Sequence, residues 1–249
     1  MSAALDYGVQ SFCFRYFKDN AEVAQKVLDI GLNKIEVCRV HADFSKPDEW
    51  KDIVKTYEDA GVSVISIGVE GFVGDPAERS IFECAAIAGA THISGAFRID
   101  SYMKAIPAVR ALSREFGIKV GIHNHGGYGF GGQPDVVQHL IGLGAPEIGL
   151  CLDTAWALQI GPRRGDPIEW ANSFAGHITG VHYKDFVFGP NGQWEDTVVG
   201  EGTMDLKGFV DVLEAGGFDG MAVIEYEADV ENPVPALKAC VDAMRAMVG

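Results

Sequence analysis

The stretch Lys119-Val-Gly-Ile-His-Asn-His-Gly-Gly-Tyr128 runs from apolar residues into three polar side chains and then into glycine. Val120, Gly121 and Ile122 have strand character. His123, Asn124 and His125 offer donor atoms where that strand ends, and Gly126-Gly127 lets the backbone turn sharply. Donors grouped at the C-terminal end of a strand make a candidate metal or substrate site. The same event recurs three times downstream. Ile148-Gly-Leu-Cys-Leu-Asp153 ends on a carboxylate, Ile178-Thr-Gly-Val-His182 on an imidazole, and Met221-Ala-Val-Ile-Glu225 on a carboxylate.

Working outward, short apolar runs at residues 7–12, 34–38, 62–69 and 91–95 precede those at 119–124, 147–153, 178–184 and 221–226. Between them lie helical patterns near 20–30, 47–60, 76–88, 101–116, 134–143, 167–175, 205–215 and 233–247, several opening on Pro and closing on Gly. Near-continuously apolar strands alternating with amphipathic helices imply a parallel sheet covered by helices. Eight such units close into a single-domain α/β (β/α)8 barrel spanning residues 1–249. A doubly wound sheet would want a phosphate-binding GxGxxG after an early strand, and none is there. The glycine-rich Gly126-Gly-Tyr-Gly-Phe-Gly-Gly132 follows the fifth strand without a Walker lysine and reads as a mobile active-site loop. The longest connection, residues 186–204, follows the seventh strand on the face where barrels keep their chemistry.

Hydrophobic residues make up 47% of the chain, yet no run approaches the roughly 20 apolar residues of a membrane span. The N-terminus shows neither a basic nor an apolar leader region, so a cytoplasmic location is expected. Cys13, Cys38, Cys84, Cys151 and Cys240 are scattered and never form CxxC, which reads as reduced, buried thiols. A net charge of −15 argues against a nucleic-acid partner.

In a parallel barrel every strand delivers its end to one rim, so His123, Asp153, His182 and Glu225 are expected to converge. Two imidazoles with two carboxylates suit Mn2+, Zn2+, Co2+ or Fe2+ better than Ca2+, which prefers oxygen-only sites. Lys184 follows His182 by two residues and faces the same side of its strand. It is a catalytic candidate for holding a substrate oxygen or helping to neutralise an anionic intermediate or, equally, a residue for a rim salt bridge to Asp185 or Glu227. Gln10, Arg15, Glu36, Arg39 and Glu70 stand near the predicted ends of the first three strands as weaker substrate contacts. His41, His92, His139 and His177 read as structural or surface residues.

The order Cys-Leu-Asp153-Thr, Val-His182-Tyr-Lys-Asp, Gly200-Glu-Gly-Thr-Met-Asp205 and Ile224-Glu-Tyr-Glu227 resembles the sugar phosphate isomerase/epimerase superfamily, the xylose isomerase-like TIM barrels. The resemblance implies a divalent ion, Mn2+ first and Mg2+ also in range, held by Glu, Asp, His and Glu. It also implies proton abstraction α to a metal-bound ketose carbonyl. Carried over, Asp153, His182 and Glu225 match the ligand pattern, with Glu225 as the base and His123 or His125 as its partner. His123 departs from the pattern, which usually has Glu there in a Glu-Asn-His-Gly context. Inosose dehydratase-like members carry His-rich strings at this point, so a lyase acting on a keto sugar or keto-inositol stands beside the isomerase/epimerase reading. Trp156 replaces a frequent His, which exchanges a polar contact for a stacking wall, and Glu201 resembles a loop residue that closes near substrate. The expected partner is a small sugar, with a homodimer or homotetramer suggested by the family. Phosphate on the sugar is left open, since Arg163-Arg164 could bind one or simply be solvated.

Overall fold

The computed structural model describes residues 2–126 and 129–248. Eight parallel strands close on themselves: β1 (Tyr7–Gln10), β2 (Lys34–Val37), β3 (Ser63–Phe72), β4 (His92–Phe97), β5 (Lys119–His123), β6 (Ile148–Asp153), β7 (Ile178–Tyr183) and β10 (Met221–Ile224), with β10 pairing β1 to complete the ring. The register runs Tyr7 with Ala222, Val9 with Ile35, and Asp153 with His182, so strand ends reach a common level. The chain is therefore one TIM-barrel domain.

Around the ring lie α1 (Asn20–Asp29), α2 (Pro47–Asp59), α3 (Arg79–Ile87), α4 (Tyr102–Phe116), α5 (Pro134–Gly144), α6 (Thr154–Gln159), α7 (Pro167–Ser173), α8 (Leu206–Ala215) and α9 (Val234–Arg245). Their starts follow local chemistry. Asp19, Asp166 and Asp205 accept a backbone N–H from the first turns of α1, α7 and α8, and Pro47 and Pro134 open α2 and α5. Gly117 ends α4 in the left-handed conformation at φ 69°. Among the described residues no helix is long and apolar enough to cross a membrane.

The main core lies between strands and helices, where Trp50, Tyr57, Phe44, Phe82 and Phe209 are buried and the Trp50 indole donates to the Cys84 carbonyl at 2.7 Å. Inside the ring the filling is different. Cys151, Met221 and Val223 form a small separate cluster, and the polar Glu36, Ser66, Ser94, Gln10 and His92 are buried as well. A Cβ at Gly180 would lie 2.8 Å from His92 Nε2 and 3.0 Å from Cys151 Sγ, so the missing side chain makes room for the imidazole. Burial pulls the His92 pKa down to about 4, which keeps it neutral. All five cysteines are buried and free.

Two connections depart from expectation. The segment at 186–204 is not a plain loop: β8 (Asp185–Phe188) and β9 (Trp194–Thr197) pair antiparallel as a hairpin. Its turn signal, Asn191-Gly192, is present in the chain, and Gly192 adopts φ 76°. The short helix α6 follows β6 directly because Asp153 accepts the Trp156 N–H at 2.9 Å and so caps it. The first strand also stops at Gln10 rather than Phe12, where the Gln10 side chain accepts the Phe12 N–H and turns residues Ser11–Phe14 into a 3-10 helix. The third continues past Val69 to Phe72 along β4.

Outside the site, Glu147 ties α4 to the start of β6 through Arg110 at 3.0 Å and Arg114 at 2.6 Å. The Arg114 hydrogen bond pulls the carboxyl down to about 2. A depressed carboxyl stabilises the fold above its unfolded pKa and loses that contribution as pH falls toward the folded value. Glu147→Gln is therefore expected to melt below the parent at pH 7 and to converge with it near pH 2. Parallel melting curves across that range would disprove the link.

Candidate metal centre and substrate cavity

His123 ends β5, Asp153 ends β6, His182 is the penultimate residue of β7, and Glu225 follows β10 by one residue. Glu225 stays in the ladder because its N–H donates to the Tyr183 carbonyl at 3.0 Å. One donor atom from each of the four residues lies within 4.8 Å of every other, and all four residues are buried. His123 Nε2 is 3.4 Å from Asp153 Oδ2, and His182 Nδ1 is 3.1 Å from Glu225 Oε2.

Two of these atoms, His123 Nε2 and Asp153 Oδ2, have no hydrogen-bond partner among the described residues although they are buried. Leaving buried polar atoms unpaired costs about 1–3 kcal/mol each, so a shared partner between them is called for. Imidazole nitrogens and carboxylate oxygens converging at this spacing fit a divalent cation. Binding to the folded state alone at a thousandfold excess over Kd adds about 4 kcal/mol. For a barrel of this size that is about 8–16 °C in Tm. A thermal melt with Mn2+, Co2+, Zn2+ or Mg2+ against the same sample in EDTA checks this, and no shift with any ion would remove the metal reading.

Neighbouring residues hold the donors in place. Asn124, second of the three polar residues at the end of β5, does not face the site. Its side-chain amide donates to the Asp153 carbonyl at 2.9 Å and accepts the Asp153 N–H at 2.8 Å, clamping one strand end to the next. Thr154 does the same one strand further, since its hydroxyl accepts the Lys184 N–H at 3.0 Å and donates to the Lys184 carbonyl at 2.6 Å. Sequence reading missed both roles, because nothing in a lone Asn or Thr says which backbone it will meet.

Lys184 is 1% exposed and pairs with Glu227, with Asp196 at 3.9 Å and Glu225 at 4.0 Å also in reach. It realises the salt-bridge alternative through Glu227. Its ammonium also lies 5.3 Å from the Trp156 ring centre. Burial pushes Glu225 toward its neutral form, but the Lys184 charge and the contact with His182 outweigh it and hold the carboxyl below its ordinary value. Burial and the neighbouring His123 lower the His125 pKa, leaving a neutral imidazole at pH 7. Asp196, on the hairpin, is pushed by burial up to about 6.

The donors open onto a cavity of about 350 Å³ bounded by Phe12, Arg39, Val69, His125, Trp156 and Glu227, with His123 and Glu225 in its floor. His125 packs tilted against Trp156 with ring centres 4.2 Å apart, and Trp156 meets Trp194 of the hairpin at 5.6 Å. A larger hollow of about 610 Å³, at the opposite mouth beside Lys34, Lys119 and Asp219, contains none of the four donors.

Three expected substrate contacts lie off the cavity wall. Arg15 is engaged with the Phe12 and Glu227 carbonyls. Glu70 is fully buried and reaches the wall only through Arg39, whose guanidinium it holds. Glu201 is exposed, and its loop is shaped by Asp185, which accepts N–H groups from Gly200, Gly202, Thr203 and Met204. Of the glycine-rich segment 126–132, residues 127 and 128 fall outside the described residues.

Closed parallel barrel and rim donors in hand, the sequence comparison decides the family: the xylose isomerase-like TIM barrel model matches residues 24–247. The chain belongs to the xylose isomerase-like TIM barrel family. Over 146 residues, 51% of this chain and 47% of the relative, it is 27% identical to an inosose dehydratase of Lacticaseibacillus casei. The match thus spans about half the length of that relative. A xylose isomerase-like TIM barrel protein from Mycobacterium smegmatis, solved in complex with magnesium, superposes with a TM-score of 0.79 at 14% identity, covering 100% of this chain and 98% of that one. The 3-keto-D-glucoside 4-epimerase of E. coli superposes with a TM-score of 0.72 at 15% identity over 97% and 99% of the two chains. Proteins similar to this xylose isomerase-like barrel therefore include both an epimerase and a dehydratase.

Proposed function

We propose that this protein removes the proton α to the carbonyl of a small, uncharged keto sugar or keto-cyclitol and returns it as an isomerase or epimerase. The observation that carries the reading is the buried His123, Asp153, His182 and Glu225 cluster opening onto an aromatic-walled cavity of about 350 Å³. A divalent ion on these four residues, for which we take Mn2+ as the first choice, supplies Lewis acidity that polarises the carbonyl and stabilises negative charge on its oxygen.

Glu225 takes the proton. It is kept ionised by Lys184 and His182, and the same contacts lower its basicity, so the driving force rests on the acidity induced in the substrate. His125, neutral and on the far side of the ring from β10, is the second proton carrier. Trp156 offers a face for the sugar ring, and Arg39 offers donors for its hydroxyls. The charges support an unphosphorylated substrate. Arg39 is engaged by Glu70, two carboxylates line the wall, and Arg164 is paired with Asp135 at 2.7 Å and lies outside the cavity lining.

A second reading, loss of a β-oxygen substituent as a lyase, is favoured by His123 in place of a carboxylate and by the similarity to inosose dehydratases. It shares the first proton transfer and differs in what leaves afterwards. Proton NMR in D2O with Mg2+, over a panel of ketoses, an inosose and 3-keto-glucosides, each with and without EDTA, separates the outcomes. EDTA-sensitive α-deuteration with an epimer or aldose supports the first reading. A dehydrated or vinylic product replaces it with the second, and absence of exchange across the panel counts against both.

A further inference from the structure

Glu36 lies on β2, across the ring from β7, and is fully buried in the barrel interior beneath the donor cluster. A bare carboxylate there would be costly, and four groups converge on it. Gln10 Nε2 and Ser94 Oγ donate to Oε1, the latter at 2.9 Å, Ser66 Oγ donates to Oε2 at 2.5 Å, and His182 Nε2 stands 3.0 Å from Oε1. The three fixed donors come from β1, β3 and β4, so the carboxylate is held from three sides and aimed at the imidazole. The Nε2 contact is at ion-pair distance but off the line of a hydrogen bond, and Cys151 also bears on the His182 ring. On its other side His182 presents Nδ1 to Glu225.

We propose that Glu36 is the positioning residue of the metal centre, facing Nε2 of His182 as an acceptor so that the ring is oriented with Nδ1 toward a divalent cation. The inference rests on the metal reading above. Metal-bound histidines gain affinity when the second ring nitrogen faces a carboxylate, because the proton is confined to one nitrogen and the ring becomes a stronger donor. The arrangement bears on the unusual donor set of this chain. With His123 standing at the first position, only Asp153 and Glu225 bring negative charge directly to the cluster. Glu36 adds a third carboxylate through the back of His182.

The test is equilibrium binding of Co2+ to the full chain, by competition with a chromophoric chelator, together with the visible spectrum of bound Co2+. Glu36→Gln keeps the shape and an acceptor oxygen but removes the charge. It is expected to weaken Co2+ binding about 10- to 100-fold and to shift the spectrum. Ser94→Ala removes one donor to Glu36 and leaves its charge, and is expected to stay within about threefold of the parent by the same reasoning. A folded Glu36→Gln protein that holds Co2+ as tightly as the parent overturns the proposal. So does a Ser94→Ala protein as weakened as Glu36→Gln, since packing of the network rather than the carboxylate would then set affinity. Should circular dichroism show Glu36→Gln unfolded, Glu36→Asp, which withdraws the charge from His182 by one methylene, is judged by the same limits. Failure of the parent to bind Co2+ would remove the metal reading itself, an outcome distinct from equal binding by parent and variant.

Discussion

Glu225→Gln is expected to lower kcat by about 10³-fold while leaving the fold intact, the size of effect that follows loss of a positioned general base. The glutamine keeps an oxygen toward the cluster and keeps the reach of the side chain, but it cannot accept a proton. Lys184 retains Glu227 as its partner in the variant, so the ammonium is not stranded. The decisive measurement is α-proton exchange into D2O at saturating metal, with bound metal counted in the same sample. Exchange within tenfold of the parent would reassign the base, and His125 would be the residue to examine next. Loss of bound metal together with loss of exchange would instead mark Glu225 as chiefly a ligand.

Lys184→Met is expected to destabilise the protein by about 3 kcal/mol at pH 8, because removing one partner of a buried charge cluster leaves the others uncompensated. For a chain of this size that corresponds to about 6–12 °C in Tm. The loss is expected to be pH dependent. Asp196 already sits at about 6 because burial outweighs the attraction of Lys184, and without that attraction its pKa rises further. A carboxyl whose folded pKa is raised stabilises the fold at low pH and loses that contribution as pH climbs through the folded value. The deficit of the variant is thus largest at pH 8, shrinks as pH falls toward about 6, the value Asp196 holds in the parent, and levels off below it. Melting curves of both proteins from pH 5 to 8 read this directly, and a deficit that grows on acidification would refute the assignment of Lys184 as the counter-charge.

The ring of strands and its rim donors are legible in the chain because they depend on local pattern. A buried parallel strand must be apolar nearly throughout, and a polar residue such as Asp153 or His182 at its end is conspicuous. Lys184 is legible as a pair of alternatives, and the structure gives it to Glu227. What does not show is contact across sequence distance. Asn124 looks like a third donor in a polar triplet and is instead spent on the Asp153 backbone, 29 residues on. Glu36 looks like one of several rim residues, and only the closed ring brings it to His182. The hairpin was within reach, since Asn191-Gly192 is a turn signal, but polar Glu195 and Asp196 break the alternation by which β9 would have been recognised.

The hairpin of β8 and β9 has one more implication. Trp194 reaches the cavity only by resting on Trp156, which in turn backs His125, while the tip at Gly189 and Gln193 closes on itself through its own backbone at 2.9 Å. The metal donors, by contrast, are anchored in the ring by Asn124, Thr154 and Glu36. The outer cavity wall and the donor cluster thus rest on largely separate supports. A hairpin tip of different length or aromatic content can be transplanted between Val187 and Glu195 to reshape the cavity wall, while Asp196 keeps its place beside Lys184 and the donors beneath stay as they are.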